Sequence, residues 1–263
     1  MRRYIEGHPC FYLEELQTEL LESFPNLENV SISTVCRALR HDIKMTRKTI
    51  EKRARQARPE EMESLQCRLK PFYHFPQQLV FIDETSKDGR AAVRRYGYST
   101  VGTPLVVRLA FDRGQRISTL AAFNSKGFFG WTHTSGTYSR KKFHNAFLQN
   151  ILPHLNPWPM HNSNVILDNA KIHMYEKLEE AIHNRGALLF YLPPYSPHVN
   201  PIEYGFSLVK KYIQKHGNLA FNHQPELALN VALGMCASEG NKALNQVEVE
   251  HCGYGNQTLI MKH

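Results

Sequence analysis

The chain has 263 residues, of which 42% are hydrophobic and 21% charged, which is ordinary for a globular protein with one medium domain and a small appendage. Its formal net charge of +8 favours a polyanionic partner such as nucleic acid, although basic surfaces without such a partner are also common. Five scattered cysteines without a CxxC pair argue against a disulfide framework and a zinc ribbon, and no apolar run approaches the ~20 residues that span a bilayer.

The N-terminal segment predicts two short helices joined by a turn. Apolar residues recur at helical spacing over 11–21, and residues 25–29 interrupt the pattern. Ser31 or Ser33 can then cap a second helix that continues through Leu39. Two helices in this arrangement are the outline of a helix-turn-helix.

Most of the net charge lies in residues 37–58, which we call the basic segment. Nine lysines and arginines stand there against two acids, so the segment carries +7. Such a cluster suits neutralisation of DNA phosphates, but it can equally be a solvated helix that leads into a linker. We expect DNA contacts from Arg37, Arg40, Lys44, Arg47, Lys48, Lys52 and Arg53.

From about residue 78, short apolar runs alternate with amphipathic helical patterns. Strands are predicted at 78–82, 105–111, 117–124, 164–167 and 187–192, and helices at 140–155, 175–184 and 201–216. Three strands followed by alternating helices and strands predict an α/β domain with a mixed sheet. The prolines between residues 59 and 76 indicate a linker that precedes this domain.

Three acids stand where chemistry is expected. Asp83 and Asp168 each end an apolar strand, and Glu203 lies on a helix that follows a proline-rich turn. A single aspartate at a strand end is more often a cap or a turn former, but an unpaired carboxylate beside a buried strand is costly. Three such hard oxygen ligands together suit Mg²⁺ or Mn²⁺.

The motifs around these acids carry a resemblance to a known family. The segments LVFIDETS, VILDNAKIH and LPPYSPHVNPIEYGFSLVKK, with 34 residues between Asp168 and Glu203, resemble the DDE endonuclease domain of mariner-superfamily transposases and related bacterial insertion-sequence enzymes. The similarity extends over residues 78–254. The segment HPCFYLEELQ…SISTVCRALR…TRK resembles the second helix-turn-helix of the family, and the first has no counterpart, so we expect an N-terminally truncated member.

The resemblance implies an RNase H-like mixed sheet with flanking helices, plus a small all-α helix-turn-helix domain. The expected layout is a DNA-binding segment at 1–58, a linker at 59–77, the endonuclease domain at 78–254 and a tail at 255–263. Asp83, Asp168 and Glu203 are then the catalytic, metal-binding residues for two Mg²⁺ or Mn²⁺ ions. The implied reaction is cleavage of phosphodiesters at transposon ends and joining of the ends to target DNA.

Several neighbouring residues are expected to support this site. Glu84 follows Asp83 in a strand and so should point to the opposite sheet face, in a structural or supporting role. Asn169, His173 and Asn200 are expected to orient the acids, although a capping asparagine and a hydrogen-bonded histidine are equally common. Lys210 and Lys211 either contact the DNA backbone or solvate their helix.

The expected partner is double-stranded DNA, both transposon ends and target, with a homodimer as the active form and no membrane association. The expected compartment is the nucleus in a eukaryotic host and the cytoplasm or nucleoid otherwise. Two alternatives remain open. One is a catalytically impaired or domesticated DNA-binding protein derived from a transposase, and the other is a structure-specific nuclease without strand transfer.

Overall fold

The computed structural model of the protein separates into two compact units, Met1–Lys52 and Arg53–His263. It describes residues 1–27, 29–48, 59–87, 98–104, 106, 116–194, 196–216, 223–237, 245, 249, 250, 252 and 254. None of the helices in these ranges combines the length and the apolar character that crossing a membrane requires.

The described residues of the first unit form three short helices. Helix α1 covers Arg2–Gly7, α2 covers Leu13–Ser23 and α3 covers Ile32–Arg37, with a wider π-type turn at Ala38–Asp42. The Ser31 hydroxyl accepts a hydrogen bond from the backbone N–H of Thr34 at 3.1 Å, so Ser31 caps α3. The two predicted helices are therefore present and α1 is an addition, while the helix-turn-helix interpretation stays a prediction.

The second unit is built around a five-stranded mixed sheet. Its strands are β1 (Leu79–Lys87), β2 (Ile117–Asn124), β3 (Gly127–Ser135), β4 (Asn164–Leu167) and β5 (Leu188–Tyr191), in the order β3-β2-β1-β4-β5. Strands β1, β2 and β3 pair antiparallel, whereas β4 and β5 extend the sheet from β1 in parallel. This arrangement confirms the predicted mixed α/β fold class.

Helices cover both faces of the sheet. They are α4 (Pro59–Leu69), α5 (Arg140–Asn150), α6 (Glu176–Asn184), α7 (Pro201–His216) and α8 (Pro225–Cys236). Leu79 and Phe81 belong to the core shared with α4, α7 and α8, whereas Val80 and Ile82 belong to the core shared with α5 and α6. Alternate residues of this half of β1 are thus buried on opposite faces, which explains why residues 79–82 are continuously apolar.

Some elements differ from the sequence-based prediction. The segment predicted as a linker contains α4, because Leu65 and Leu69 at helical spacing are buried in the core. Strand β3 and helix α8 were not predicted, since GFFGWTHTS lacks a clean alternation of apolar and polar residues. The helix predicted at 140–155 ends at Asn150 and gives way to a 3₁₀ turn at Leu152–His154.

Two sequence-based predictions are not tested by the described residues. The strand expected at 105–111 lies, apart from Val106, outside the described residues. The four domain limits remain a prediction, although the division after Lys52 falls close to the expected end of the N-terminal segment.

Candidate active site

The three acids meet because of how β1, β4 and α7 are arranged. Strands β1 and β4 are parallel neighbours with Ile82 opposite Leu167, so Asp83 in β1 and Asp168, the first residue after β4, lie side by side. Strand β1 continues to Lys87, so Asp83 does not end its strand as predicted, because residues 83–87 still pair with β2. Glu203 lies in the first turn of α7, where the positive end of the helix dipole favours a carboxylate.

These residues line one cleft of about 400 Å³. Its wall consists of Asp83, Asp168, Asn169, Ala170, Leu192, Pro193, Pro194, Ser196, Pro197, Asn200 and Glu203. The structure thus brings together the three predicted acids with the predicted Asn169 and Asn200. Glu84 and His173 do not belong to the wall: His173 contacts Asp168, and Glu84 contacts His173.

Asp83 is the most buried of the three acids. Its Oδ1 accepts a hydrogen bond from the backbone N–H of Glu84 at 2.7 Å, and its Oδ2 accepts one from Nδ2 of Asn200 at 3.0 Å. Burial, and then the negative charges of Asp168 and Glu203, raise the pKa of Asp83 to about 8. Burial also raises the pKa of Glu203, with Lys87 working against the shift and Asp168 adding to it.

His173 is fully buried and joins two carboxylates. Its Nδ1 lies 2.6 Å from Oδ1 of Asp168, and its Nε2 lies 3.1 Å from both carboxylate oxygens of Glu84. Burial lowers the pKa of His173, but the hydrogen bonds to Asp168 and Glu84 outweigh it and raise the pKa to about 10. In the same way burial raises the pKa of Asp168, and the His173 hydrogen bond and charge bring it below its usual value.

The oxygen atoms that line the cleft are the type of ligand that a divalent cation prefers. Burial and neighbouring negative charge raise the pKa of Asp83 and of Glu203, which a hard cation would relieve, and the buried Oδ1 of Asn200 has no hydrogen-bond partner among the described residues. However, no three His, Cys, Asp or Glu side chains in those residues are already arranged to hold a metal ion.

Cations that the sequence reasoning missed surround this end of the sheet. Lys87 lies on the same face of β1 as Asp83, four residues further along, a period-two relationship that could have indicated it. A second group, the basic rim, consists of the exposed Arg140, Lys141, Lys142 and Lys171. Three of these stand in the first turn of α5, and Arg140 donates a hydrogen bond to the carbonyl of Lys171 at 2.8 Å.

The position of the basic rim follows from one contact. Lys171 directly follows the cleft residue Ala170, and Arg140 donates to the Lys171 carbonyl, so α5 begins beside the loop that follows Asp168. Positive side chains in the first turn of a helix oppose its dipole and cost about 0.3–1 kcal/mol each. Helix stability therefore does not explain the run Arg-Lys-Lys, and that run was the signal available in the sequence.

The predicted DNA-contact residues fall into three sets. Arg37, Arg40, Lys44, Arg47 and Lys48 are exposed in the first unit, whereas Lys52 and Arg53 lie outside the described residues. Lys210 and Lys211 are exposed on α7, seven and eight residues beyond Glu203, which corresponds to roughly 10 Å or more along the helix. They do not line the cleft.

Comparison with known proteins supplies a family and a fold. A family described as DDE superfamily endonuclease matches residues 78–227. The chain is also similar to the mariner Mos1 paired-end complex with Mg, with a TM-score of 0.60 and 14% identity over 95% of this chain and 76% of that one. The pre-cleavage Mos1 transpososome is similar with a TM-score of 0.57 over the same shares at 14% identity.

The Mos1 strand transfer complex gives the same result, with a TM-score of 0.57 and 14% identity over 96% of this chain and 76% of that chain. At this level of identity the similarity shows the fold, which is the RNase H-like fold that the sequence predicted. No curated protein sequence matches the chain.

Proposed function

Because the chain belongs to the DDE superfamily endonucleases, we propose that it cuts DNA at the ends of a mobile element and joins the freed 3′ ends to target DNA. The observation that carries the proposal is the cleft in which Asp83, Asp168 and Glu203 meet at one edge of the mixed sheet. The similar Mos1 structures include a paired-end complex and a strand transfer complex, which supports both halves of the proposed reaction.

In this proposal Asp83, Asp168 and Glu203 hold two divalent cations, Mg²⁺ or Mn²⁺. The Mos1 complexes contain Mg in one case and Mn in another, which supports this choice. When bound, such ions lower the pKa of the attacking water and offset the charge that develops on the leaving 3′ oxygen.

The protein's own residues orient these acids and the DNA. Asn200 holds Oδ2 of Asp83 through its amide, and the backbone N–H of Ala170 holds Oδ1 of Asp168 at 3.1 Å. We assign the basic rim to the DNA phosphates beside the cleft, because the acids alone would repel a polyanion. The exposed basic residues of the first unit add affinity that does not depend on the cleft.

The proposal is tested by nicking of supercoiled plasmid in Mn²⁺. We expect the parent protein to nick and Glu203→Gln to be inactive, because the substitution deletes a ligand charge while keeping the size of the side chain. Glu176→Gln, at an exposed acid in the first turn of α6, is the matched control and should nick like the parent. Equal nicking by the parent and Glu203→Gln would refute the catalytic assignment.

A second candidate is a DNA-binding protein that keeps the fold without cutting. The observation in its favour is the set of exposed basic residues in the first unit, Arg37, Arg40, Lys44, Arg47 and Lys48, which can bind DNA phosphates without the cleft. It predicts salt-dependent DNA binding by the parent together with no nicking in either metal.

We extend the proposal to the assembly and the compartment. The paired-end arrangement of the Mos1 complexes supports a homodimer that holds two ends. Because the proposed substrate is chromosomal DNA, the proposed compartment is the nucleus of a eukaryotic host, or the nucleoid of a bacterial one.

A further inference from the structure

Glu84 reaches Asp168 through one buried imidazole. Glu84 is on β1, beside Asp83 but pointing to the opposite face of the sheet, and it does not line the cleft. Its two oxygens lie 3.1 Å from Nε2 of His173, and Nδ1 of the same ring lies 2.6 Å from Oδ1 of Asp168. A residue of one strand is therefore connected to the acid that follows the neighbouring strand.

The hydrogen atoms in this chain of contacts are determined by chemistry. Carboxylate oxygens only accept hydrogen bonds, so each ring nitrogen of His173 must be a donor. The ring is fully buried and packs on Phe143 with 4.6 Å between the ring centroids, and the carbonyl of His173 accepts a hydrogen bond from the hydroxyl of Tyr191 at 3.1 Å. The imidazole is thus held from the ring and from the backbone.

The result is an asymmetric environment for Asp168. Its Oδ1 accepts two hydrogen bonds, from His173 and from the backbone N–H of Ala170 at 3.1 Å. Its Oδ2 accepts none from the described residues, although the side chain lines the cleft. Both oxygens of Asp83, by contrast, accept hydrogen bonds. Asp168 is therefore the acid whose orientation is fixed while one oxygen stays available.

We propose that Glu84 and His173 form a positioning pair that orients the Asp168 carboxylate for cation binding. This inference rests on the proposed function, because it assigns a supporting role around the same acid. It also gives Glu84 a task, since a carboxylate outside the cleft would otherwise add only negative charge near three other acids. A partner that orients a metal ligand in this way typically changes metal affinity by about 10–100-fold.

The test is a double-mutant cycle with Mn²⁺ affinity, measured by calorimetry, as the readout. Glu84→Met removes the acceptor at similar length, and His173→Asn keeps a donor near Asp168 while losing the reach to Glu84. We expect each single variant to bind Mn²⁺ about 10–100-fold more weakly. The double variant should be no worse than the weaker single variant, because both break the same connection.

Two further variants separate positioning from folding. Glu84→Gln retains an oxygen that can accept from His173 and should restore most of the affinity. His144→Gln alters a histidine whose Nδ1 contacts the Tyr175 hydroxyl at 3.0 Å rather than a carboxylate, and it should bind Mn²⁺ like the parent. Thermal unfolding without metal is measured for all variants, and each titration is run below the lowest unfolding temperature.

The outcomes distinguish this inference from the proposed function. Parent-like Mn²⁺ affinity in Glu84→Met and His173→Asn would overturn the positioning pair, whatever their unfolding temperatures. Weakened binding in these variants with no nicking by the parent would support the pair and refute the nuclease. In an active protein the pair predicts a lower kcat at unchanged KM for DNA. A parent protein that binds no Mn²⁺ would overturn both.

Discussion

The side-chain amide of Asn200 donates a hydrogen bond to Oδ2 of Asp83 at 3.0 Å, although the two residues are 117 positions apart in the chain. Asn200 directly precedes α7, so this contact connects the start of the helix that carries Glu203 to the middle of β1. It connects the two elements that must be placed together for the cleft to exist.

The first prediction concerns this contact. Asn200→Ala leaves Oδ2 of Asp83 without its donor, which should lower the free energy of unfolding by about 1–3 kcal/mol. Asn200→Asp should be more destabilising without metal, because it adds a carboxylate next to acids that already raise the pKa of Asp83, and Mn²⁺ should recover part of the loss. Urea unfolding with and without Mn²⁺ measures both effects. Asn200→Asp as stable as the parent without metal would contradict the repulsion argument.

A second prediction concerns removal of the metal ligand Asp168. In Asp168→Ala, Mn²⁺ binding should be lost while the domain stays folded, because the side chain is 42% exposed. Calorimetry with Mn²⁺ and circular dichroism measure binding and folding in the same sample. Asp42→Ala, at an exposed acid in the first unit, is the control. Identical Mn²⁺ affinity in Asp168→Ala and the parent would argue against the ligand assignment.

The third prediction concerns the part of the DNA affinity that comes from the exposed basic residues of the first unit. Replacing Arg37, Arg40, Lys44 and Arg47 with glutamine should weaken binding and flatten its salt dependence, by roughly 0.9 in the log–log slope for each lost phosphate contact. Fluorescence anisotropy between low and moderate salt measures the slope. An unchanged slope would mean that these residues form only a solvated surface.

We expect substitutions in the basic rim and substitutions of the α7 lysines to affect nicking differently. Lys141→Gln with Lys142→Gln and Lys171→Gln should reduce nicking more than it reduces overall affinity, because Lys171 directly follows the cleft residue Ala170 and the start of α5 contacts Lys171. Lys210→Gln with Lys211→Gln should leave nicking close to that of the parent, since the two lysines lie further along α7. The comparison uses the plasmid assay at saturating DNA, and a reversed order of effects would relocate the DNA path.

A fourth prediction concerns pH and lies away from the cleft. The Nε2 of His133 lies 3.0 Å from Oδ1 of Asn230, and its Nδ1 lies 2.9 Å from the Thr119 hydroxyl. Burial lowers the pKa of His133 below its usual 6.5, with Asn230 and Glu226 partly opposing the shift. The unfolded chain thus binds the proton more tightly, so stability is retained above pH 6.5 and lost as pH falls toward the folded-state pKa.

His133→Gln should therefore reduce the loss of stability on acidification. The measurement is urea unfolding at several pH values around and below 6.5, compared as the difference between parent and variant. Because other histidines titrate equally in both proteins, the difference isolates His133. A difference that does not change with pH would exclude this residue as a source of acid sensitivity.

The fifth prediction concerns a close approach in the core. A Cβ at Gly205 of α7 would lie 2.8 Å from Cζ of Phe128 and 3.0 Å from Cε2 of Phe123. Gly205→Ala should thus cost about 1–3 kcal/mol of stability by overpacking. Gly234→Ala on α8, where a Cβ meets nothing within 4 Å, should instead be neutral or stabilising by up to about 1 kcal/mol. Thermal unfolding of both variants tests the contrast, and equal shifts would contradict it.

How far sequence reasoning succeeds differs between elements. Strand β4 and helix α7 have the predicted bounds, because Asn164–Leu167 is short and wholly buried and Pro201 sets a sharp start. Strand β3 was missed because burial in a hairpin with β2, rather than local pattern, makes it a strand. The linkage of Glu84 to His173 was also beyond prediction, since it depends on the β1–β4 register and on a loop conformation.

The register between β1 and β4 also limits which insertions and deletions the protein can tolerate. Loss of a single codon within β1 would keep the reading frame, yet every following residue of the strand would turn to the opposite face of the sheet. The Asp83 carboxylate would then point toward α5 and α6, while Ile82 would face the cleft side. We therefore expect natural length variation to avoid β1 and β4, because there a one-residue deletion damages the folding core and the chemistry together.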